Sequence, residues 1–151
     1  MACPALPTCG LAVTEAERAL PGILDQLEVE LARLGLEKER FTVRMTGCPN
    51  GCARPYNSDV GLVGRSAHIN KDGTPGPGTY TIFLGGRTVG DRLNTEFKDY
   101  VPYDQVVAEL MPVFSRFKAE RNDGESFGDF CDRVGVLELA RSAAPELNPV
   151  G

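Results

Sequence analysis

Thr46-Gly47-Cys48-Pro49-Asn50-Gly51-Cys52-Ala53-Arg54-Pro55-Tyr56 is the stretch on which the reading of this chain turns. Its two cysteines flank a Pro-Asn-Gly turn, with three residues between them. The segment before it, Phe41-Thr42-Val43-Arg44-Met45, alternates and carries β-formers, so it reads as a strand that delivers the chain into the turn. A second pair lies at the N-terminus, Cys3-Pro4-Ala5-Leu6-Pro7-Thr8-Cys9, with five residues between. Four thiolates are what a cubane iron–sulfur cluster takes, one for each iron. Structural zinc sites usually pair cysteines two to four residues apart. One gap here is longer than that and the other is at the upper end. Spacing therefore favours a cluster over zinc, and both readings stay open at this point.

The wider context carries a resemblance. Met1 to Ala12, around Cys3 and Cys9, resembles the first cluster motif of the sirohaem-dependent sulfite and nitrite reductases, and Thr46 to Tyr56 resembles their second. The likeness continues through Asp59-Val60-Gly61-Leu62-Val63-Gly64, Phe83-Leu84-Gly85-Gly86 and Glu125-Ser126-Phe127-Gly128-Asp129-Phe130, so it spans roughly residues 1 to 135. It implies that Cys3, Cys9, Cys48 and Cys52 bind one 4Fe–4S cluster, and that Cys52 is also the axial ligand of a sirohaem. It implies six-electron reduction of sulfite to sulfide, with electrons from ferredoxin or a flavoprotein reductase. In such enzymes the corresponding region is the C-terminal part of a longer polypeptide. The basic residues that grip the substrate belong to the preceding part, so no catalytic residue is assigned here. The expectation is a C-terminal fragment, a split-gene subunit or a miscalled start, with the N-terminal part on a separate polypeptide in the second case. Such a chain does not reduce sulfite alone.

The residues around the second pair suit this chemistry. Pro49 removes a backbone donor and stiffens the turn. Gly51 permits close backbone approach. Asn50 either hydrogen-bonds toward the cofactors or simply forms the turn. Arg44 and Arg54 flank the motif and either face sirohaem carboxylates or substrate, or make ordinary ion pairs. Cys131 matches no ligand position and reads as a small core residue. His68, the one histidine, sits in an expected loop and is given no role.

Composition bounds the alternatives. With 151 residues and 42% hydrophobic content, the chain suits one soluble domain. No apolar stretch approaches membrane-spanning length, and no signal peptide is visible. Five cysteines without a secretion signal point to a reducing compartment, hence the cytoplasm, or a plastid if the true N-terminus is missing. A net charge of −5 argues against bulk nucleic-acid binding.

The expected architecture is α+β, a small sheet flanked by helices, over residues 1–141, with a loose tail over 142–151. Thr14 and Glu17 form a capping box for a helix beginning there, or lie inside one running from about Gly10. Pro21 suits the first turn of a new helix. Leu24, Leu27, Leu31 and Leu34 follow helical spacing, and Gly35 ends it. Val60–Val63 and Thr79–Leu84 read as strands, with 65–78 an exposed loop between them. Val106, Leu110, Val113, Phe114 and Phe117 mark an amphipathic helix over Tyr103 to Arg121 that Pro112 kinks. A short helix covers Phe127 to Val134. A ferredoxin-type nitrite reductase is the second enzyme reading. A stand-alone iron–sulfur electron carrier, a zinc module and a truncated remnant without a working site remain as readings of other classes.

Overall fold

The computed structural model describes residues 1–143 except 7, 70, 74, 88 and 89, and gives the backbone alone at 68, 69, 75–77, 142 and 143. A four-stranded sheet in the order β1-β2-β3-β4 comprises Val43–Thr46, Val60–Ile69, Pro75–Leu84 and Thr95–Pro102. β1 runs parallel to β2; the other two pairings are antiparallel. Four helices cover the sheet: α1 (Leu20–Arg33), α2 (Val106–Glu120), α3 (Phe127–Val134) and α4 (Val136–Ala143). The α+β expectation is met.

The core lies between the helices and one sheet face. Leu20, Ile23, Leu27 and Leu31 form the buried stripe of α1. Leu24 and Leu34 are only partly buried, so the true stripe is offset from the expected one. Pro21 occupies the first turn, where its missing N–H is no loss. Gly35, at φ +75°, ends the helix: its N–H donates to the Ala32 carbonyl and the Leu36 N–H to that of Leu31. This is the Schellman pattern, and buried Leu31 and Leu36 supply its apolar contact. α2 buries Val106, Leu110, Val113, Phe114 and Phe117 and runs as one helix through Pro112. Phe127 of α3 stacks on Phe114 at 4.2 Å and meets Phe117 edge-on at 5.5 Å.

Four expectations need correction. No helix starts at Thr14. The helix begins at Leu20, and the Thr14 hydroxyl instead donates to the Gly47 carbonyl (3.4 Å), while the Glu17 N–H donates to the Cys3 carbonyl (3.0 Å). A long-range acceptor has displaced the local cap. The loop expected over 65–78 is mostly sheet: β2 continues to Ile69 and β3 begins at Pro75, with register shifts around Gly64, Ser66 and His68. Gly73, at φ +86°, lies in the turn, while Pro75, Gly76, Pro77 and Gly78 sit in the irregular start of β3, where they are tolerated. The His68 side chain and Asn70 lie outside the described residues. β4 was not foreseen, because it buries only Phe97 and Val101 and shows no clean alternation. α4 was also missed; it extends to Ala143, past the expected start of the tail at 142, and residues 144–151, with Pro145 and Pro149, lie outside the described residues.

Asp59 ties three elements together at one point. Its Oδ2 accepts from the N–H and hydroxyl of Thr42, both at 2.8 Å, and its Oδ1 accepts from the Gly128 N–H at the start of α3 (2.9 Å). A helix N-terminus favours such an anion. A Cβ on Gly128 would sit 2.4 Å from that oxygen, so the close approach needs glycine.

Candidate iron–sulfur site

Parallel strands need a long crossover, commonly a helix. Between β1 and β2 that crossover is residues 47–59, which hold the second cysteine pair and a 3-10 turn over Pro55–Asn57. The turn is built from local bonds. The Gly51 N–H donates to the Cys48 carbonyl (3.4 Å) and the Arg54 N–H to that of Gly51 (2.8 Å). Gly51 at φ +70° and Arg54 at φ +52° both take left-handed backbone. Glycine does so freely; arginine stores strain there, which the surrounding bonds must hold. The Tyr56 hydroxyl donates to the Pro49 carbonyl (3.0 Å). Burial, and then the nearby Cys48, push the Tyr56 phenol above its ordinary value, so it stays a donor. Arg44 donates to the Arg54 carbonyl (3.4 Å) and to Asn57 Oδ1 (3.0 Å), pinning the far side of the turn.

The first cysteine pair is brought to the same place. Residues 1–3 run parallel to β1 along its outer edge, bridged at Ala2 and Met45. The Cys3 N–H donates to the Met45 carbonyl (3.1 Å), and the Met45 N–H to that of Met1 (2.9 Å). Cys3 is therefore tied into the sheet. Cys9 caps a turn whose N–H donates to the Ala5 carbonyl (2.7 Å). The chain after it returns to Gly47, whose carbonyl accepts from the N–H groups of Val13 (2.9 Å) and Thr14 (3.2 Å) and from the Thr14 hydroxyl. The Gly47 N–H in turn points at Cys3 Sγ (3.4 Å). Gly47 is thus the joint at which both motifs meet.

All five cysteines are free thiols; Cys3, Cys9 and Cys48 are half-buried, Cys52 is exposed and Cys131 is buried. The core reading of Cys131 is met, and burial pushes its thiol far above the ordinary range. Among the described residues no three His, Cys, Asp or Glu side chains are gathered closely enough to hold a metal ion. The backbone thus joins the two motifs. Two observations fit a sulfur-ligated group beside them. The Thr46 hydroxyl is buried with no hydrogen-bond partner. The donor set, four thiols in two pairs, suits a cluster, and Gly51 lets the turn close on Tyr56, whose Cε2 would lie 3.0 Å from a Cβ there. Asn50 and Arg54 are exposed, and among the described residues the Arg54 guanidinium makes no hydrogen bond or ion pair. Arg44, by contrast, is committed to the turn. Gly47 was visible in the motif but not as a joint; Thr14 was visible only as a cap.

Two clefts flank this region. One of about 240 Å³ lies under the turn, against Pro49, Tyr56, Val63 and Phe83. A larger one of about 630 Å³, between α1 and β1, touches none of the cysteines.

The nitrite and sulphite reductase 4Fe-4S domain matches residues 1–148. The chain belongs to that family. Within the nitrite and sulphite reductase 4Fe-4S family it is similar to the sulfite reductase (ferredoxin) of Synechococcus elongatus, 53% identical over 92% of this chain and 21% of that protein. It is 44% identical to the sulfite reductase (NADPH) hemoprotein beta-component of Staphylococcus saprophyticus, over 93% of this chain and 23% of that one. The NirA protein of Mycobacterium tuberculosis superposes with a TM-score of 0.73 at 26% identity, covering 92% of this chain and 26% of that one. The chain thus spans about a fifth to a quarter of the relatives it matches. No helix among the described residues is long and apolar enough to cross a membrane.

Proposed function

We propose that this chain is the 4Fe–4S and sirohaem-ligating part of an assimilatory sulfite reductase, with Cys3, Cys9, Cys48 and Cys52 as cluster ligands and Cys52 also axial to the sirohaem. The observation that carries the reading is the joint at Gly47, where the two cysteine motifs meet through hydrogen bonds between residues more than thirty positions apart. When bound, the coupled centre supplies the single-electron steps that sulfite reduction to sulfide requires. The chain's own residues hold and insulate it. Cys3 is fixed from the β1 edge, Cys9 from the turn that closes on the Ala5 carbonyl, and Cys48 and Cys52 sit on the crossover. Cys52 is the exposed member of the four, which leaves room beside it for a second group to share its thiolate. Arg54, exposed and unpaired among the described residues, has the planar fork that suits an anionic carboxylate, and Asn50 offers an amide beside it. Sulfite binding, and ferredoxin or a flavoprotein reductase as electron donor, are proposed for the complete enzyme, as is a cytoplasmic location. The nitrite reading shares ligands and cofactors; relative turnover of the two anions by the complete enzyme separates them.

Anaerobic reconstitution of the chain with iron, sulfide and sirohaem tests the assignment. Four cluster irons per chain, plus the one iron of the sirohaem with its haem-type spectrum, is the expected result. Cys52→Ser is expected to disturb both signals; loss of the cluster signal with an intact haem spectrum refutes the shared thiolate. Stoichiometric zinc without a cluster refutes the whole reading.

A further inference from the structure

Thr46 is 1% exposed, and its Oγ1 has no hydrogen-bond partner. A buried polar group left unpaired is destabilising. Among the described residues the other orphaned buried oxygen, Asn94 Oδ1, belongs to a side chain already anchored through its Nδ2 to the Pro55 (2.6 Å) and Ser58 (3.2 Å) carbonyls. Thr46 has no such explanation within the fold.

Its position suggests what the hydroxyl is for. Side chains alternate along a strand. Met45 enters the helix-side core, so Thr46 occupies the opposite face. Its register partner Val63 lines the cleft beneath Pro49 and Tyr56. Arg44, two residues earlier on that face, reaches across to Asn57 and the Arg54 carbonyl. Thr46 therefore lies beneath the cysteine turn, one residue before the Gly47 amide that points at Cys3 Sγ.

We propose that Thr46 is a positioning residue whose hydroxyl donates a hydrogen bond to a sulfur of the bound iron–sulfur centre and raises its reduction potential. The inference rests on the proposed function. Hydrogen bonds to cluster sulfurs stabilise the more negative, reduced state and so set the potential. A hydroxyl with no acceptor among the described residues is the donor that such a sulfur lacks.

The test compares Thr46→Val, Thr46→Ala and Thr46→Ser in the cluster-free chain and in the reconstituted chain. Without cluster, Thr46→Val is expected to unfold in urea at or above the wild-type midpoint, because it removes an unpaired hydroxyl. With cluster, redox titration followed by electron paramagnetic resonance is expected to show a lower midpoint potential for Thr46→Val and Thr46→Ala, and the wild-type value for Thr46→Ser. A cluster whose potential is unchanged in both hydroxyl-free variants overturns this inference alone. So does a clear loss of stability in cluster-free Thr46→Val, which reveals an acceptor within the protein. Failure of the wild-type chain to assemble a cluster overturns the proposed function, and this inference with it.

Discussion

Substituting Gly47 by alanine should uncouple the two cysteine motifs. A Cβ there would lie 2.6 Å from the Ala5 Cβ, 2.7 Å from the Thr14 carbonyl oxygen and 3.1 Å from the Ala12 Cβ. None of these can swing aside, since two are methyl groups fixed to the backbone and one is backbone itself. The segment over residues 5–14 must therefore back away. Overpacking of this kind costs about 1–3 kcal/mol. Retreat also stretches the three bonds onto the Gly47 carbonyl, each worth ~0.5–1.5 kcal/mol net. Together these come to about 2.5–7.5 kcal/mol if all three bonds are lost, a large share of the ~5–15 kcal/mol that a whole domain has. With a urea slope of ~2 kcal/mol per molar, the midpoint falls by at least about 1 M. Gly10→Ala is the control: nothing lies within 4 Å of its Cβ, and its φ is not in the left-handed region, so it should be neutral or slightly stabilising. The assay is urea unfolding of the cluster-free chain followed by circular dichroism, with alkylation of Cys3 measured by mass spectrometry under native conditions. Gly47→Ala should lower the midpoint and speed Cys3 alkylation. A Gly47→Ala midpoint matching that of Gly10→Ala, with Cys3 no more reactive, would show that Gly47 is not the joint between the motifs.

Three further outcomes follow from the packing and the charges. Phe127→Ala removes the ring stacked on Phe114 and should cost about 3–5 kcal/mol in denaturant unfolding; a loss below ~1 kcal/mol would mean that α3 is not docked there. Thiol alkylation of the native, cluster-free chain should modify exposed Cys52 first, half-buried Cys3, Cys9 and Cys48 more slowly, and Cys131 only on unfolding, since Cys131 is buried and its thiol is pushed upward chiefly by that burial. Cys131→Ala should leave the count modified before unfolding unchanged, and a lower count would refute this burial. The hydrogen bond from Arg92 holds the Asp129 carboxyl below its ordinary value of 3.8. A lowered folded value means that this stabilisation is complete above the ordinary value and is lost as pH falls through the lower, folded one. The stability gap between wild type and Arg92→Met should therefore be widest near neutrality and narrow below about pH 4. Parallel pH curves for the two proteins would remove the pair from the balance.

The parts of this protein that were legible in sequence are those fixed by neighbours along the chain. The α2 stripe of Val106, Leu110, Val113, Phe114 and Phe117 was read from helical spacing because burial and period act on the same local stretch. The same holds for α3, the Pro21 start of α1 and its Gly35 end. The four cysteines were legible as residue types at given spacings, because cluster chemistry demands thiolates whatever fold presents them.

What sequence left undecided depends on bonds between distant residues. The hairpin over 65–78 looked like a loop because its glycines and prolines carry turn signals, yet β2 and β3 pair through it across an irregular register. β4 was invisible because Phe97 and Val101 alone are buried along it, and its backbone is held by β3 rather than by its own pattern. Thr14 carried the signal of a helix cap, but its hydroxyl found the Gly47 carbonyl thirty-three residues away. A local propensity worth about 1 kcal/mol yields to a buried long-range bond backed by packing. Sequence by itself determined which sulfurs are available. Only the tertiary structure decided that Cys3 is held in a sheet within reach of the Gly47 amide, because strand pairing brings together residues that no stretch of sequence places side by side.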